Sequence, residues 1–374
     1  MIQVIKLVFI LINYFCSQLG IWNFGIMIKQ IINYIVKKVK KSHYVQSLFF
    51  APINLKSLPV FGTFTDSYGN EHKLYSGFRT KLKPDWKSFV LNQGKKFQTS
   101  PEFFNINKKD SKLTLNRILP IAYSYSKVIE NSNILELGCH FGGVSFWLAE
   151  MGAKEVYATD FTGYKANAAD SNNNSEKVLN DIDNELNIAR NEYGKLFNNR
   201  NAVKFLNDDI CDSKLPESHF DLIISFDVLE HISNPEKAFA NISKILKDDG
   251  IAIHEYNSFF CLNGGHSACT LDFPWGHTRL SESDFLRYLK EIRPDEENLD
   301  LSFYKNGLNR MSIENLVKIS KENNLEILSL IQFTKEQHMG LINNEILSQS
   351  KKIYPDITLA DLVTPRIIVV LKKI

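Results

Sequence analysis

Cysteine is scarce in this sequence, and its few cysteines form no recognisable framework. The 374 residues include five cysteines, an odd number, and no two of them have the C-x-x-C spacing. These features argue against a secreted domain held together by disulfides and fit a reducing compartment. We therefore expect a cytoplasmic protein.

Two of the cysteines lie among histidines, but their spacing does not match a zinc site. His254, Cys261, His266, Cys269 and His277 fall within 24 residues. The order C-x₄-H-x₂-C is not a familiar zinc pattern, and no carboxylate cluster accompanies it. We expect no bound metal.

The sequence also lacks a large net charge, although the two signs are unevenly distributed. The formal net charge is +2. Residues 1–117 hold 18 Lys and Arg against 5 Asp and Glu, whereas residues 118–374 hold 26 against 37. A basic front and an acidic body suggest regions with different partners, and the acidity of the body argues against a nucleic-acid partner.

Residues 1–43 are predicted to form an apolar and basic extension. Residues 7–28 carry no charge, and residues 28–41 place Ile and Val at helical spacing with lysines between them. Such a helix can bind an anionic membrane surface, and it can equally pack within the chain or in a dimer. We predict contact with a membrane surface through residues 7–41, and the oligomeric state stays open. Residues 44–117 contain four prolines between short apolar runs, which predicts an irregular substrate or cap region.

From residue 118 onward, short apolar runs alternate with segments of helical periodicity. This alternation is typical of a doubly wound, mostly parallel α/β sheet, whose ligands bind beyond the carboxyl ends of the strands. We predict one seven-stranded domain over residues 118–374, with an insertion at 256–311. The predicted strands are 134–137, 155–159, 203–206, 221–226, 251–255, 325–332 and 366–371, and the predicted helices are 144–151, 178–196, 235–246 and 312–322, with a turn at 248–250.

A glycine-rich turn follows the first predicted strand, in the segment ILELGCHFGG (134–143). Gly138, Gly142 and Gly143 lack a Cβ, which lets the backbone approach a ligand closely. Glu136 lies two residues before the first glycine, where its carboxylate suits an ammonium group and would repel a pyrophosphate. The segment also lacks the dinucleotide fingerprint G-x-G-x-x-G, which disfavours a nicotinamide-dependent reductase.

Acidic residues follow the next three predicted strands. Asp160 ends the second strand and can accept hydrogen bonds from both hydroxyls of a ribose, or it can cap a helix. Asp209, followed by the apolar Ile210, suits an adenine amino group and ring face, although the same segment also reads as an ordinary polar loop. The segment FDVLEHI (226–232) follows the fourth strand and opens the next helix.

These four segments, in this order and spacing, resemble the class I S-adenosylmethionine-dependent methyltransferases over about residues 130–256. The resemblance implies a Rossmann-like methyltransferase fold with an N-terminal extension, methyl transfer, and S-adenosyl-L-methionine as the cofactor. It assigns the methionine part of the cofactor to the glycine-rich turn, the ribose to Asp160, and the adenine amino group to Asp209. One position departs from the family pattern E-x-G-x-G-x-G, because the middle glycine is His140 here. The cofactor-binding residues implied in this way are Glu136, Gly138, Cys139, His140, Gly142, Asp160, Phe161, Asp209, Ile210, Phe226 and Asp227.

The long insertion at 256–311 supplies most candidates for a general base. Loops of this length in a compact domain are usually functional. An alcohol acceptor benefits from a base that titrates near neutral pH, for which histidine is suited. We nominate His277 and His266 first, with His231 and His254 behind them. His277 can alternatively be a structural anchor of the Pro-Trp-Gly turn that precedes a helix.

Fold-level analogy favours a small-molecule or glycan acceptor, with O-methylation of a sugar, a glycolipid or a related small molecule. A quinone-type or other lipid-phase acceptor is the alternative among enzymes. A protein that binds the cofactor without catalysis is the alternative outside them. These alternatives differ in the acceptor and share the cofactor site.

Overall fold

The computed structural model of the protein describes residues 53–83, 86, 99–163 and 176–374. The extension predicted for residues 1–43, with its membrane contact through residues 7–41, lies outside the described residues. Among the helices within the described ranges, none is long and apolar enough to span a lipid bilayer.

The centre of the fold is a seven-stranded, mostly parallel sheet, which confirms the predicted fold class. The strands of the described part of the chain are β1 (Val60–Thr65), β2 (Glu71–Tyr75), β3 (Asn133–Leu137), β4 (Glu155–Asp160), β5 (Val203–Asn207), β6 (Phe220–Phe226), β7 (Leu246–Tyr256), β8 (Leu325–Phe333) and β9 (Arg366–Lys373). β1 and β2 form a separate antiparallel hairpin. The other seven strands have the order β5-β4-β3-β6-β7-β9-β8, and β9 is antiparallel to both of its neighbours. Because the chain order reverses between β3 and β6, a ligand crevice is expected at their carboxyl ends.

Helices pack on both faces of this sheet. Those of the described residues are α1 (Phe78–Leu82), α2 (Pro101–Ser124), α3 (Gly143–Glu150), α4 (Glu176–Gly194), α5 (Pro235–Ile245), α6 (Gly276–Arg279), α7 (Glu282–Ile292), α8 (Glu297–Ser302), α9 (Ile313–Glu322), α10 (Glu336–Met339), α11 (Asn344–Ile353) and α12 (Leu359–Val363). A single π-helical turn, Phe303–Gly307, follows α8. Several helices begin at side-chain caps; Ser312, for example, caps α9 by accepting a hydrogen bond from the backbone N–H of Asn315.

Alternation along β3 divides the core into two layers. Leu135 and Leu137 belong to a buried cluster with residues of α5 and α9, whereas Ile134 belongs to a second cluster with residues of α2 and α3. Successive side chains of a strand point to opposite faces, and all five residues of β3 are buried. The carboxyl end of β3 is therefore fixed in the middle of the molecule, between two packed layers.

Residues 101–117 are helical, so the prediction of an irregular region was wrong there. A proline is compatible with the first turn of a helix because its missing N–H has no partner there. Pro101 therefore starts α2 after the Ser100 cap, and Phe104, Leu115 and Ile118 are buried at helical spacing. Residue 117, the predicted boundary of the region, lies within this helix.

The turn predicted at residues 248–250 was also wrong, because these residues lie within β7. The pairing register of β6 with β7 shifts between Phe220 and Leu222 at this point. A Cβ on Gly250 would lie 2.7 Å from the carbonyl oxygen of Phe220. The glycine permits a close approach of two strands at an irregular pair, rather than a reversal of the chain.

The β1–β2 hairpin and the segment after it pack against the 256–311 insertion. The backbone N–H of Tyr75 donates to the carbonyl oxygen of Asp272 at 2.8 Å. The nearly buried guanidinium of Arg79 lies 2.9 Å from the carboxylate of Glu296. The hairpin and the insertion therefore form one cap beside the sheet.

Candidate functional site

A cavity of about 310 Å³ opens at the carboxyl ends of β3, β4 and β6. Four of the residues around it are aspartates, and none of its lining residues in the described part of the chain is a lysine or an arginine. A wall of this charge suits a ligand with a cationic group and would repel a diphosphate. The lining residues are Leu137, Gly138, His140, Thr159, Asp160, Phe161, Asp208, Asp209, Ile210, Asp227, Val228, His231, Ile232, Ser233 and Asn306.

Most of the predicted cofactor residues meet in this cavity. Those that line it are Gly138, His140, Asp160, Phe161, Asp209, Ile210 and Asp227. Cys139 and Gly142 belong to the same glycine-rich turn without lining the cavity, Glu136 lies in β3, and Phe226 ends β6. The structure therefore brings together four sequence segments that are separated by up to about 90 residues.

Three residues of the glycine-rich turn have a left-handed backbone. The φ angles are 71° at Gly138, 48° at His140 and 80° at Gly142. A Cβ at Gly138 would lie 2.3 Å from a methyl group of Val228, and a Cβ at Gly142 would lie 2.4 Å from the ring of Phe205. His140 thus adopts the conformation that the family pattern gives to a glycine, at a cost of about 1 kcal/mol or more.

Glu136 is buried behind this turn instead of facing the cavity. Its side chain accepts a hydrogen bond from the hydroxyl of Ser145 in α3. Burial, the largest influence, raises the pKa of Glu136 to about 7; the bond from Ser145 lowers it and the charge of Asp160 raises it. This position does not support a direct contact with an ammonium group, and the predicted binding role of Glu136 stays a prediction.

Replacing Glu136 with glutamine is expected to stabilise the protein in a pH-dependent way. The carboxyl has a pKa of about 7 when folded against an ordinary value of 4.5, so the folded state holds the proton more tightly. The free energy of unfolding of the wild-type protein therefore falls as the pH rises from 4.5 to 7, by up to roughly 3 kcal/mol. Glutamine keeps an acceptor for Ser145 and does not titrate.

The measurement is urea unfolding of the wild-type protein and the variant at pH 5 and pH 8. The two free energies should be similar at pH 5, and the variant should be the more stable at pH 8. If the unfolding free energies of the variant and the wild-type protein differed by the same amount at pH 5 and pH 8, Glu136 would not titrate in this range.

The loop after β5 supplies two neighbouring carboxylates. Oδ1 of Asp209 accepts from the backbone N–H of Cys211 at 2.9 Å, so this residue also caps a short turn. Oδ1 of Asp208 accepts from the backbone N–H of Lys214 at 3.0 Å, and its Oδ2 is buried without a hydrogen-bond partner among the described residues. Sequence reasoning missed Asp208, although it precedes Asp209 in the same segment. An unpaired buried oxygen in a cavity wall suits a ligand N–H donor.

Asp227 lies on the opposite side of the cavity, directly after β6. It has a left-handed backbone with φ 54°. Its carboxylate accepts from the side-chain amide of Asn257 at 2.5 Å. Asp227 is exposed as a whole residue, but partial desolvation of its carboxyl by the surrounding protein, followed by the charge of Glu255, raises its pKa above the usual value. Aspartate is one of the non-glycine residues that adopt this conformation most readily.

His231 is the one histidine base candidate, of the four nominated, that lines the cavity. Its Nδ1 lies 2.6 Å from the carbonyl oxygen of Gly307. Because a carbonyl can only accept, Nδ1 carries the proton and Nε2 of the neutral ring is the basic nitrogen. Burial lowers the pKa of His231, so the ring is neutral at pH 7. Gly307 ends the π-helical turn, a distortion that is frequent at functional sites.

His266 lies behind His231. The two ring centroids are 6.4 Å apart, and the His266 ring stacks on Phe303 at 4.0 Å. Burial lowers the pKa of His266 to about 3. Its Nδ1 accepts from the backbone N–H of Ala268 at 3.2 Å. These contacts favour a role for His266 in holding the ring of His231 in place over a role in proton transfer.

His277 and His254 are fully buried and do not line the cavity. The ring of His277 donates from Nε2 to the carbonyl oxygen of Phe259 at 2.9 Å, and His254 Nδ1 lies 2.7 Å from the hydroxyl of Ser225. Burial lowers the pKa of each histidine to about 3. For His277 this geometry matches the alternative of a structural anchor. In the described part of the chain, no three His, Cys, Asp or Glu residues are grouped as metal ligands.

A family model described as a methyltransferase domain matches residues 97–330. A comparison with curated proteins found no match. Among solved structures, the chain is similar to an S-adenosylmethionine-dependent methyltransferase from Mesorhizobium loti, with 14% identity, a TM-score of 0.40, and coverage of 68% of this chain and 97% of that one.

A second similar structure is an S-adenosylmethionine-dependent methyltransferase from Clostridium acetobutylicum, with 14% identity, a TM-score of 0.38, and coverage of 69% of this chain and 90% of that one. A third is phosphoethanolamine N-methyltransferase 2 of Haemonchus contortus, with 17% identity, a TM-score of 0.39, and coverage of 69% and 52%. The family assignment is based on the family model, which matches more than half of the chain. The protein therefore belongs to the methyltransferase-domain family and is a class I S-adenosylmethionine-dependent methyltransferase.

Proposed function

We propose that the protein methylates a hydroxyl group of a sugar, a glycolipid or a related small molecule. The observation that carries the proposal is the placement of His231 in the cavity wall, with Nδ1 held by the carbonyl oxygen of Gly307 at 2.6 Å. A neutral amine can attack a methyl donor without help, whereas an alcohol gains from a base that removes its proton. An oriented neutral imidazole in the wall thus favours an alcohol acceptor.

The chemistry of the cavity wall fits S-adenosylmethionine. The unpaired Oδ2 of Asp208 suits the adenine amino group, with Asp209 beside it. Asp160 suits the ribose hydroxyls, and Ile210 and Phe161 offer apolar surface to a ring. The excess of aspartates favours a sulfonium cation. When bound, this cofactor supplies a methyl group that is already electrophilic.

The chain's own contribution is then to orient the acceptor, exclude water and accept a proton. Nε2 of His231 takes the proton of the acceptor hydroxyl, and Gly307 stabilises the resulting imidazolium through Nδ1–H. The apolar side chains of Val228 and Ile232 beside it limit water near the reacting groups. Asn306, the only lining residue from the insertion in the described part of the chain, offers an amide to the acceptor.

The test is incubation of the purified protein with cofactor carrying a labelled methyl group and with sugar, glycolipid and quinone extracts. We expect label in the sugar or glycolipid fraction, as an ether that resists alkali. An alkali-labile ester or an N-methyl product would overturn the proposal of ether formation. Label in the quinone fraction would support the lipid-phase alternative, and binding of S-adenosylhomocysteine without transfer to any fraction would indicate a protein without catalysis.

A further inference from the structure

Arg190 on α4 contacts three residues of the predicted cofactor site without lining the cavity. Its Nε donates to the carbonyl oxygen of His140 at 2.8 Å. Its Nη2 lies 3.5 Å from Oδ2 of Asp160 and 3.6 Å from Sγ of Cys139. The side chain of Arg190 is only 6% exposed. It therefore joins the glycine-rich turn to the end of β4 from inside the protein.

The turn needs a constraint of this kind because it lacks the middle glycine. His140 has a left-handed backbone, which costs a residue with a side chain free energy that its surroundings have to offset. The bond from Arg190 fixes the carbonyl group of that same residue. The guanidinium also lies 4.7 Å from the ring centroid of Phe205, and that ring packs against Gly142. Arg190 thus supports the turn at two points.

Arg190 also sets the charge balance around the turn. Glu136 and Asp160 are both acidic, and the negative charge of Asp160 opposes ionisation of Glu136. A nearly buried cation between the turn and Asp160 offsets this repulsion. Its Nη2 lies 3.5 Å from Oδ2 of Asp160, an ion pair that favours an orientation of the carboxylate toward the turn before a ligand binds.

We propose that Arg190 is a positioning residue that holds the His140 turn and the Asp160 carboxylate in the geometry that S-adenosylmethionine binding requires. The inference is based on the cofactor assignment given above. Arginine suits the task because its planar group donates in two directions at once, whereas the ammonium of lysine is a compact point charge. A lysine at this position is expected to restore only part of the function.

The test is a double-mutant cycle with Arg190→Gln and His140→Gly, read out by calorimetric binding of S-adenosylhomocysteine. Arg190→Gln alone should raise the dissociation constant by about tenfold or more. In the His140→Gly background, the same replacement of Arg190 should raise the dissociation constant by a clearly smaller factor, because glycine adopts the left-handed conformation without support. The dissociation constant of Arg190→Lys, the conservative variant, should lie between those of the wild-type protein and Arg190→Gln.

The free energy of unfolding of each variant separates positioning from stability. If Arg190 were purely structural, its replacement would lower the free energy of unfolding without changing the affinity of the folded protein for S-adenosylhomocysteine. That result would overturn the proposal. So would an equal increase in the dissociation constant in the wild-type and His140→Gly backgrounds. If Arg190→Gln does not fold, the cycle is run with Arg190→Lys under the same criterion. Arg200→Gln, an exposed arginine after α4, is the matched control. Failure of the wild-type protein to bind the probe would instead contradict the cofactor assignment.

Discussion

Replacing Asp160 with alanine is expected to weaken the binding of S-adenosylhomocysteine about a hundredfold. A hydrogen bond to a charged group contributes about 1.5–3 kcal/mol, and a ribose offers two hydroxyls to the carboxylate. Two such bonds, at about 1.4 kcal/mol per tenfold in affinity, account for a change of this size. The measurement is isothermal calorimetry with the folded variant.

Asp160→Asn serves as the graded variant, because it keeps the size and one acceptor oxygen while removing the charge. Its affinity should lie between those of the wild-type protein and Asp160→Ala. Asp249→Asn is the control, since this carboxylate is 80% exposed and pairs with Lys127 away from the cavity. Because Asp160→Ala also leaves Arg190 without this partner, the unfolding free energy has to be measured alongside. Unchanged affinity in Asp160→Ala would remove this residue from the ribose site.

The sheet and the cofactor side of the site were predictable because both depend on local patterns. The strand at residues 133–137 is buried on both faces, and Ile134, Leu135 and Leu137 give the predicted strand its apolar character in the sequence. Asp160 ends β4 and Asp209 lies two residues after the end of β5, and parallel strands bring their carboxyl ends to one edge. For these residues, position along the chain was enough to predict position in the fold.

The other side of the site depends on contacts that no local pattern encodes. His231 and Gly307 are 76 residues apart, and their hydrogen bond forms only because the insertion folds back over β6. His277 was preferred as a base because it lies in that insertion. The sequence alone does not show which side chains of a long insertion enter the core and which face the cavity. The ring of His277 became part of the core at 0% exposure.

Arg190 illustrates a signal that was present and overlooked. It lies four residues after the fully buried Leu186 and next to the fully buried Ala189, so helical periodicity places it on the apolar face of α4. A charged residue on such a face is rarely buried without a partner. The search for that partner leads to the glycine-rich turn and to Asp160.

Replacing His231 with asparagine is expected to lower kcat at least about a hundredfold with little change in the affinity for S-adenosylhomocysteine. Asparagine is a sharp probe because its amide group can still donate to the carbonyl oxygen of Gly307, as Nδ1 does at 2.6 Å. It has no basic nitrogen in place of Nε2. The variant therefore separates proton transfer, for which factors of about 10² to 10⁴ are typical, from the packing of the π-helical turn.

The pH dependence provides the independent check of this assignment. Burial lowers the pKa of His231 below its ordinary value of 6.5, and a base works only when it is deprotonated. The kcat of the wild-type enzyme should therefore stay on its plateau at pH 7 and fall on an acidic limb below pH 6.5, and this limb should be absent in His231→Asn. His219→Asn is the control, since His219 lies beside Tyr157 at the start of β6 and does not line the cavity. If His231→Asn retained both the plateau and the acidic limb, the proton would have to leave the acceptor by another route, and the argument for a hydroxyl acceptor would lose its main support.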